Sequence, residues 1–201
     1  GIIGNASAPI YECYNMGRVS GLDCIGGIAG DANIIYQCIN IGEVAGRIYV
    51  GGIAGRSYGN VYNSGNVGNV LSNDQQVGGI AGAASTGVTF ENSFNGGKIQ
   101  GTNYGGGIVG YYNDDVSIRN CYSNGNVECK DGVFNALVPY NYSYEITVVG
   151  GYYTQGYDKF GTQKTLPEII EIMRELWDNE IWDFDNLDQY GNPTLRGLPS
   201  T

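Results

Sequence analysis

One five-residue phrase limits what this chain can fold into. Gly-Gly-Ile-Ala/Val-Gly stands at 26–30, 51–55, 78–82 and 106–110, with a shortened copy, GIIG, at 1–4. The copies recur at nearly even intervals, and aligning Gly4 with Gly30 brings the shortened copy into step with the rest. Self-similarity at a period of about 25–28 residues marks stacked structural repeats. A second phrase follows each copy: CYNMGRV (13–19), CINIGEV (38–44), VYNSGNV (61–67), SFNGGKI (93–99) and CYSNGNV (121–127). Its fifth position is always Gly (Gly17, Gly42, Gly65, Gly97, Gly125) and its seventh always β-branched (Val19, Val44, Val67, Ile99, Val127). A column that keeps its chemistry while its neighbours vary is one whose members stack on one another.

Glycine separates helix from strand. An interior Gly costs a helix roughly 0.8–1 kcal/mol relative to Ala, and the chain carries 34, many inside its most regular segments. The apolar runs are short, β-branched or aromatic, and bounded by Gly, Asn, Asp and Ser, as short strands are. The expected fold is all-β, a parallel β-helix (solenoid) of about 25–28 residues per coil, each coil rising about 4.8 Å. The columns then assign faces. The variable sixth position (Arg18, Glu43, Asn66, Lys98, Asn126) reads as solvent-exposed, and the seventh as inward by alternation. Asn15, Asn40, Asn63 and Asn95 read as a hydrogen-bonded ladder along the axis. Cys13, Cys38, Val61, Ser93 and Cys121 read as one buried, small, mostly apolar column. Of Ile53 and Ala54, the isoleucine is expected to face inward.

Regularity fails after Cys129. The tyrosine-rich stretch 138–156 contains Val149-Gly150-Gly151-Tyr152, well over one period beyond the glycine pair at 106–107. It reads as a degenerate GGIxG copy in a coil with an insertion of roughly 17 residues, given the usual coil length. Thr165-Leu166-Pro167-Glu168 then forms a capping box with Pro in the first turn. Leu166, Ile169, Ile170, Met173, Leu176 and Trp177 follow on one helical face. Such a helix at the end of a solenoid is expected to cover the open core, with Trp182, Phe184 and Leu195 tucked beside it. Three parts result: repeats over 1–130, a degenerate tyrosine-rich coil with an insertion over 131–161, and a C-terminal cap with one α-helix over 162–201.

Composition narrows function. The net charge is −10 with 10 Lys plus Arg, which argues against nucleic acid and anionic lipid, since both need a cationic surface. No apolar run of about 18 residues offers a membrane span. The acidic, Tyr-rich, Lys-poor composition fits a secreted or surface-displayed bacterial protein, and a start inside a repeat implies further repeats or domains before it. There is no histidine, so HExxH zinc sites and Ser-His-Asp or Cys-His mechanisms are unavailable. No disulfide is expected, because in-register Cβ atoms about 4.8 Å apart exceed disulfide reach. Gly105, Gly107 and Gly110 match GxGxxG only because the repeat is glycine-rich. Asp183, Asp185 and Asp188 lack the glycine and distal Glu of a calcium loop and read as solvated. No metal and no cofactor is assigned. The candidate binding residues are Tyr140, Tyr142, Tyr144, Tyr152 and Tyr153, which could stack on sugars or a protein partner.

The two alternating phrases resemble the GLUG repeat of bacterial surface proteins, with Ile where that motif's name has Leu, over roughly residues 1–130. The TLPE helix with the WDF and NPTL segments is similar to the tail that often closes such arrays. The resemblance implies a right-handed β-helix. It also implies the setting of such repeats, in adhesin-like exported proteins or beside the catalytic domain of metallopeptidases that cleave immunoglobulin A. No catalytic residue belongs to the motif. The expected function is a non-catalytic structural or adhesive segment presenting turns and aromatics to a host protein or glycan; the alternative is a carbohydrate-active β-helix enzyme, a lyase or hydrolase.

Overall fold

Strands of one coil pair in parallel with the equivalent strands of the next, because identical columns can stack only that way. The computed structural model describes residues 1–139 and 144–197; as far as Gln163 they wind as a parallel β-solenoid with three faces of five strands and one larger face, and a helix and an antiparallel pair of strands, Trp182–Leu187 and Pro193–Leu195, follow. The glycine face comprises Ile3–Ala6, Ala29–Ala32, Ala54–Ser57, Ala81–Ala84 and Val109–Tyr112. The valine face comprises Val19–Ser20, Val44–Gly46, Val70–Ser72, Ile99–Gly101 and Val127–Cys129, and the approach face Asp23–Gly26, Ile48–Gly51, Val77–Gly78, Tyr104–Gly106 and Val133–Asn135. The larger face is split: most coils give it two short strands around a corner, such as Ile35–Tyr36 and Ile39–Asn40.

The corner explains one misalignment. Glu12, Gln37, Asn63, Asn92 and Asn120 all sit there at φ between 47° and 53°, a left-handed conformation that Asn tolerates better than most residues. The third copy of the second phrase is therefore SGNVGNV, 64–70, shifted toward the C-terminus from where the sequence comparison puts it. Asn66 pairs with Asn40 and Asn95, and Val70 with Val44 and Ile99. Asn63 turns the corner, and Asn66 enters the ladder fully buried instead of facing solvent. Asn69 takes the exposed position.

The ladder uses every carboxamide hydrogen. Asn15, Asn40 and Asn66 each donate through Nδ2 to the Oδ1 of the next Asn at 2.7–2.8 Å and to the carbonyl of their own coil's Gly17, Gly42 or Gly68 at 2.8 Å. Asn95 repeats the pattern with Ser123 Oγ and Gly97. The glycine phrase exists to admit this ladder: a Cβ on Gly52 would lie 2.3 Å from Asn66 Cγ and 2.2 Å from the carbonyl of Gly79. The two sequence phrases are thus opposite sides of one contact.

The neighbouring column is a second ladder, not an apolar one. Its members are Cys13, Cys38, Ser64, Ser93 and Cys121, since Val61 belongs with Ile35 and Phe90 in the strand before. The amides of Cys13, Cys38 and Ser64 donate to the sulfur or hydroxyl of the next coil at 3.1–3.4 Å. Each S–H or O–H of Cys38, Ser64, Ser93 and Cys121 donates to the carbonyl two residues back. The position selects a small group carrying a hydrogen. All five cysteines are free, and burial pushes the Cys38 and Cys121 thiols up to about 12.

Ile28, Ile53, Ile80 and Ile108 fill the interior together with Ala29, Ala54, Ala81 and Val109, so Ile53 and Ala54 are both core residues. The last coil differs from expectation. Gly106 pairs with Asn135, one ordinary coil further on, and the Ile108 amide donates to the Leu137 carbonyl, so Asn135-Ala136-Leu137-Val138 is the degenerate GGIxG copy. Ile146–Tyr153 instead stacks on the second phrase, with Cys121 opposite Gly151 and Gly150 at the corner with φ +67°. The expected insertion is absent; the Gly-Gly pair misled because Gly150 replaces a corner Asn.

The end of the core is closed by a carboxylate. In earlier coils the Ile and Ala amides of the glycine face donate to one carbonyl of the next coil, as Ile80 and Ala81 do to Ile108 at 2.9 and 3.0 Å. Leu137 and Val138 have no next coil. Their amides donate to Asp158 Oδ2 at 2.8 and 3.1 Å, while Oδ1 accepts from Phe160 and Gly161 at 2.8 and 2.9 Å.

The helix α1 (Leu166–Leu176) begins at Thr165, whose amide and hydroxyl both donate to Glu168. It lies along the flank of the solenoid instead of over its end. Ile169, Ile170, Met173, Trp177, Trp182, Phe184 and Leu195 pack on Tyr14, Ile39, Phe94, Tyr122 and Tyr152, the outward second column of five coils. That stripe is apolar and would otherwise be wet, so covering it outweighs covering the end. Leu176, expected on the apolar face, is 49% exposed.

Candidate functional site

Among the described residues tyrosine is the aromatic side chain most often exposed, and the structure sorts the tyrosines by role. Of the five candidates, Tyr140 and Tyr142 lie outside the described residues. Tyr152 and Tyr153 point to opposite sides of one strand, Tyr152 into the flank cluster and Tyr153, 7% exposed, into the core. Tyr144 packs edge-on against Tyr111 and Tyr112, with ring centroids 6.5 and 6.4 Å apart. Its hydrogen bond to Tyr111, with burial, pushes the Tyr111 phenol up to about 12.

Two further groups were not singled out from the sequence. Tyr11, Tyr36 and Tyr62 form a surface stack of nearly parallel rings with centroids 5.1 and 4.9 Å apart, continued in the same column by Glu91 and Arg119. The second group surrounds a depression on the glycine face. The residues directly after each GGIxG phrase form one column, Asp31, Arg56, Ala83 and Tyr111. Where Arg56 and Tyr111 carry long side chains, Ala83 carries a methyl, and the missing atoms leave a depression of about 300 Å³ lined by Tyr49, Arg56, Tyr58, Ala83, Ser85, Tyr111 and Asn113. Reading the residue after each phrase as a column would have marked Ala83 as its short member, though not the depression, whose walls come from neighbouring coils.

Its electrostatics are balanced. Arg56 donates Nε and Nη2 to the two oxygens of Asp31 at 2.8 and 2.9 Å, and the guanidinium lies 5.6 Å from the Tyr49 ring centroid and 5.5 Å from that of Tyr58. Tyr49 holds its place at φ 54°, a sparsely populated region for a bulky residue.

The carboxylates of the tail have structural partners. Asp183 accepts from the Asp185 and Asn186 amides and the Asn186 side chain and pairs with Arg196; its carboxyl is held below the usual range, chiefly by Asn186. Asp185 pairs with Arg174. Asp188, read above as solvated, is 8% exposed and accepts from the Tyr190 and Asn192 amides. Among the described residues no group of three or more Cys, Asp or Glu is placed to hold a metal ion, and no helix is long and apolar enough to cross a membrane.

The fold and its surface define a parallel β-solenoid repeat protein. A solved structure described as a "putative immunoglobulin A1 protease" from Bacteroides ovatus superposes with a TM-score of 0.68 at 24% identity, over 95% of this chain and 58% of that one. That likeness is one of fold, and this chain spans only 58% of the neighbour's length. No protein-family profile and no curated protein matches the chain.

Proposed function

We propose that the chain is a non-catalytic structural and adhesive segment, of GLUG type, in a secreted or cell-surface bacterial protein, and that it presents aromatic side chains to a host protein or glycan. One observation carries this reading. Every column runs in register along the coils, so the molecule is a stiff stack whose outward positions recur at one-coil intervals, and tyrosines occupy many of them. Basic side chains support the same reading: Arg18, Arg47, Arg56 and Lys98 each pair with an acid of an adjacent coil, bracing the stack. The neighbour's description as a "putative immunoglobulin A1 protease" agrees with the sequence resemblance, in which such repeats stand beside a catalytic domain.

The purified chain should bind components of a glycan array or of a host-surface protein panel and leave every polysaccharide in a cleavage screen intact. Polymer cleavage lost on replacing clustered acids would establish the carbohydrate-active alternative instead.

A further inference from the structure

Nothing in a regular stack requires a gap, yet the outward column Asp31, Arg56, Ala83, Tyr111 has one at Ala83. We propose that this gap is a subsite for one neutral pyranose ring of a glycan, a proposal that rests on the binding role put forward above. Three properties of the walls select that ligand. Tyr58, 51% exposed, and Tyr111 offer apolar ring faces with hydroxyl tips, the pairing that suits a ring with one apolar face and a polar rim. Around the floor stand Ser85, Asn113 and the Arg56 Nη1 amino group, outside the pair to Asp31, to meet ring hydroxyls. Size matches too: about 300 Å³ is the low end for ligand pockets, enough for one ring and too small for a buried chain.

Charge decides between neutral and acidic sugars. The bidentate pair cancels the Arg56 charge locally, and the chain as a whole carries −10. An anionic sugar would meet a repulsive field and displace Asp31 from its partner, whereas a neutral ring meets neither.

The test uses the 201-residue chain, a glycan array, and methyl glycosides of neutral hexoses and N-acetylhexosamines titrated by amide NMR. Ala83→Tyr fills the gap with the residue the column already accepts at 111, so folding is retained. Tyr58→Ala removes one exposed wall. A neutral glycoside should bind with Kd on the order of 1 mM, shifting the amides of Ser85, Tyr111 and Asn113. Ala83→Tyr should weaken binding at least tenfold, and Tyr58→Ala severalfold. Array binding unchanged by Ala83→Tyr would refute the subsite while leaving the adhesive role standing. Preference for sialylated or sulfated glycans would refute the neutral-ring assignment. Binding to neither glycan nor protein would sink the adhesive role and the subsite together.

Discussion

At the residue scale, stability is set by small polar groups that have no alternative partner. Asn66 is fully buried, donates to Asn95 and Gly68, and accepts from Asn40. Asn66→Ala strands the Asn40 donor and two acceptors, and each unmet buried group costs about 1–3 kcal/mol. Loss of roughly 3 kcal/mol is expected in thermal or denaturant unfolding. Asn66→Ser should cost less, because Ser123 occupies the same column in the fifth coil and still accepts from Asn95. Equal losses for the two variants would show that the ladder is packing alone. The thiol and hydroxyl column follows the same logic, and its alternation of Cys with Ser reflects shared hydrogen-bonding capacity.

At the element scale, the exposed edge is the problem a solenoid has to solve, since unpaired strand groups invite pairing with other chains. The turn after the last coil solves it at the glycine face through Asp158, whose carboxylate stands in for the carbonyl of an absent coil and gathers four amides. Asp158→Ala should release the terminal strand. Hydrogen exchange at the Leu137 and Val138 amides is expected to accelerate about 100-fold, equivalent to about 2.8 kcal/mol, while Ile53 and Ile80 exchange unchanged. Uniform acceleration across all coils would mean that the turn supports the fold globally and not its edge.

At the scale of the whole molecule, the C-terminal segment straps the coils together. Trp177 donates Nε1 to the Asn120 carbonyl at 2.9 Å, Trp182 donates to Asn63 Oδ1 at 3.3 Å, and Tyr122 donates its hydroxyl to Asn192 at 3.1 Å. The rings of Phe94, Tyr122, Trp177 and Trp182 form one continuous cluster between strap and solenoid. Trp177→Ala should cost about 3–5 kcal/mol, spent on docking of the strap. Trypsin should then cut after Lys164 at low enzyme ratios while the strand signal in circular dichroism persists. Loss of strand signal together with cleavage would instead make the strap a condition of solenoid folding.

Much of this was legible beforehand. Two phrases recurring at a near-constant period, rich in glycine and β-branched residues, determine a parallel stack, because only superposed coils give identical columns identical surroundings. The Asn ladder was legible too, as was the start of α1 from its capping box. Sequence could not say which Asn of VYNSGN turns a corner, because both satisfy the phrase and only backbone φ distinguishes them. It could not place α1, whose apolar face suits the end of a core as well as a stripe on its flank. Nor could it reveal the depression at Ala83, for a gap is defined by its neighbours in the coils on either side, Arg56 and Tyr111, and exists only once the coils lie on one another.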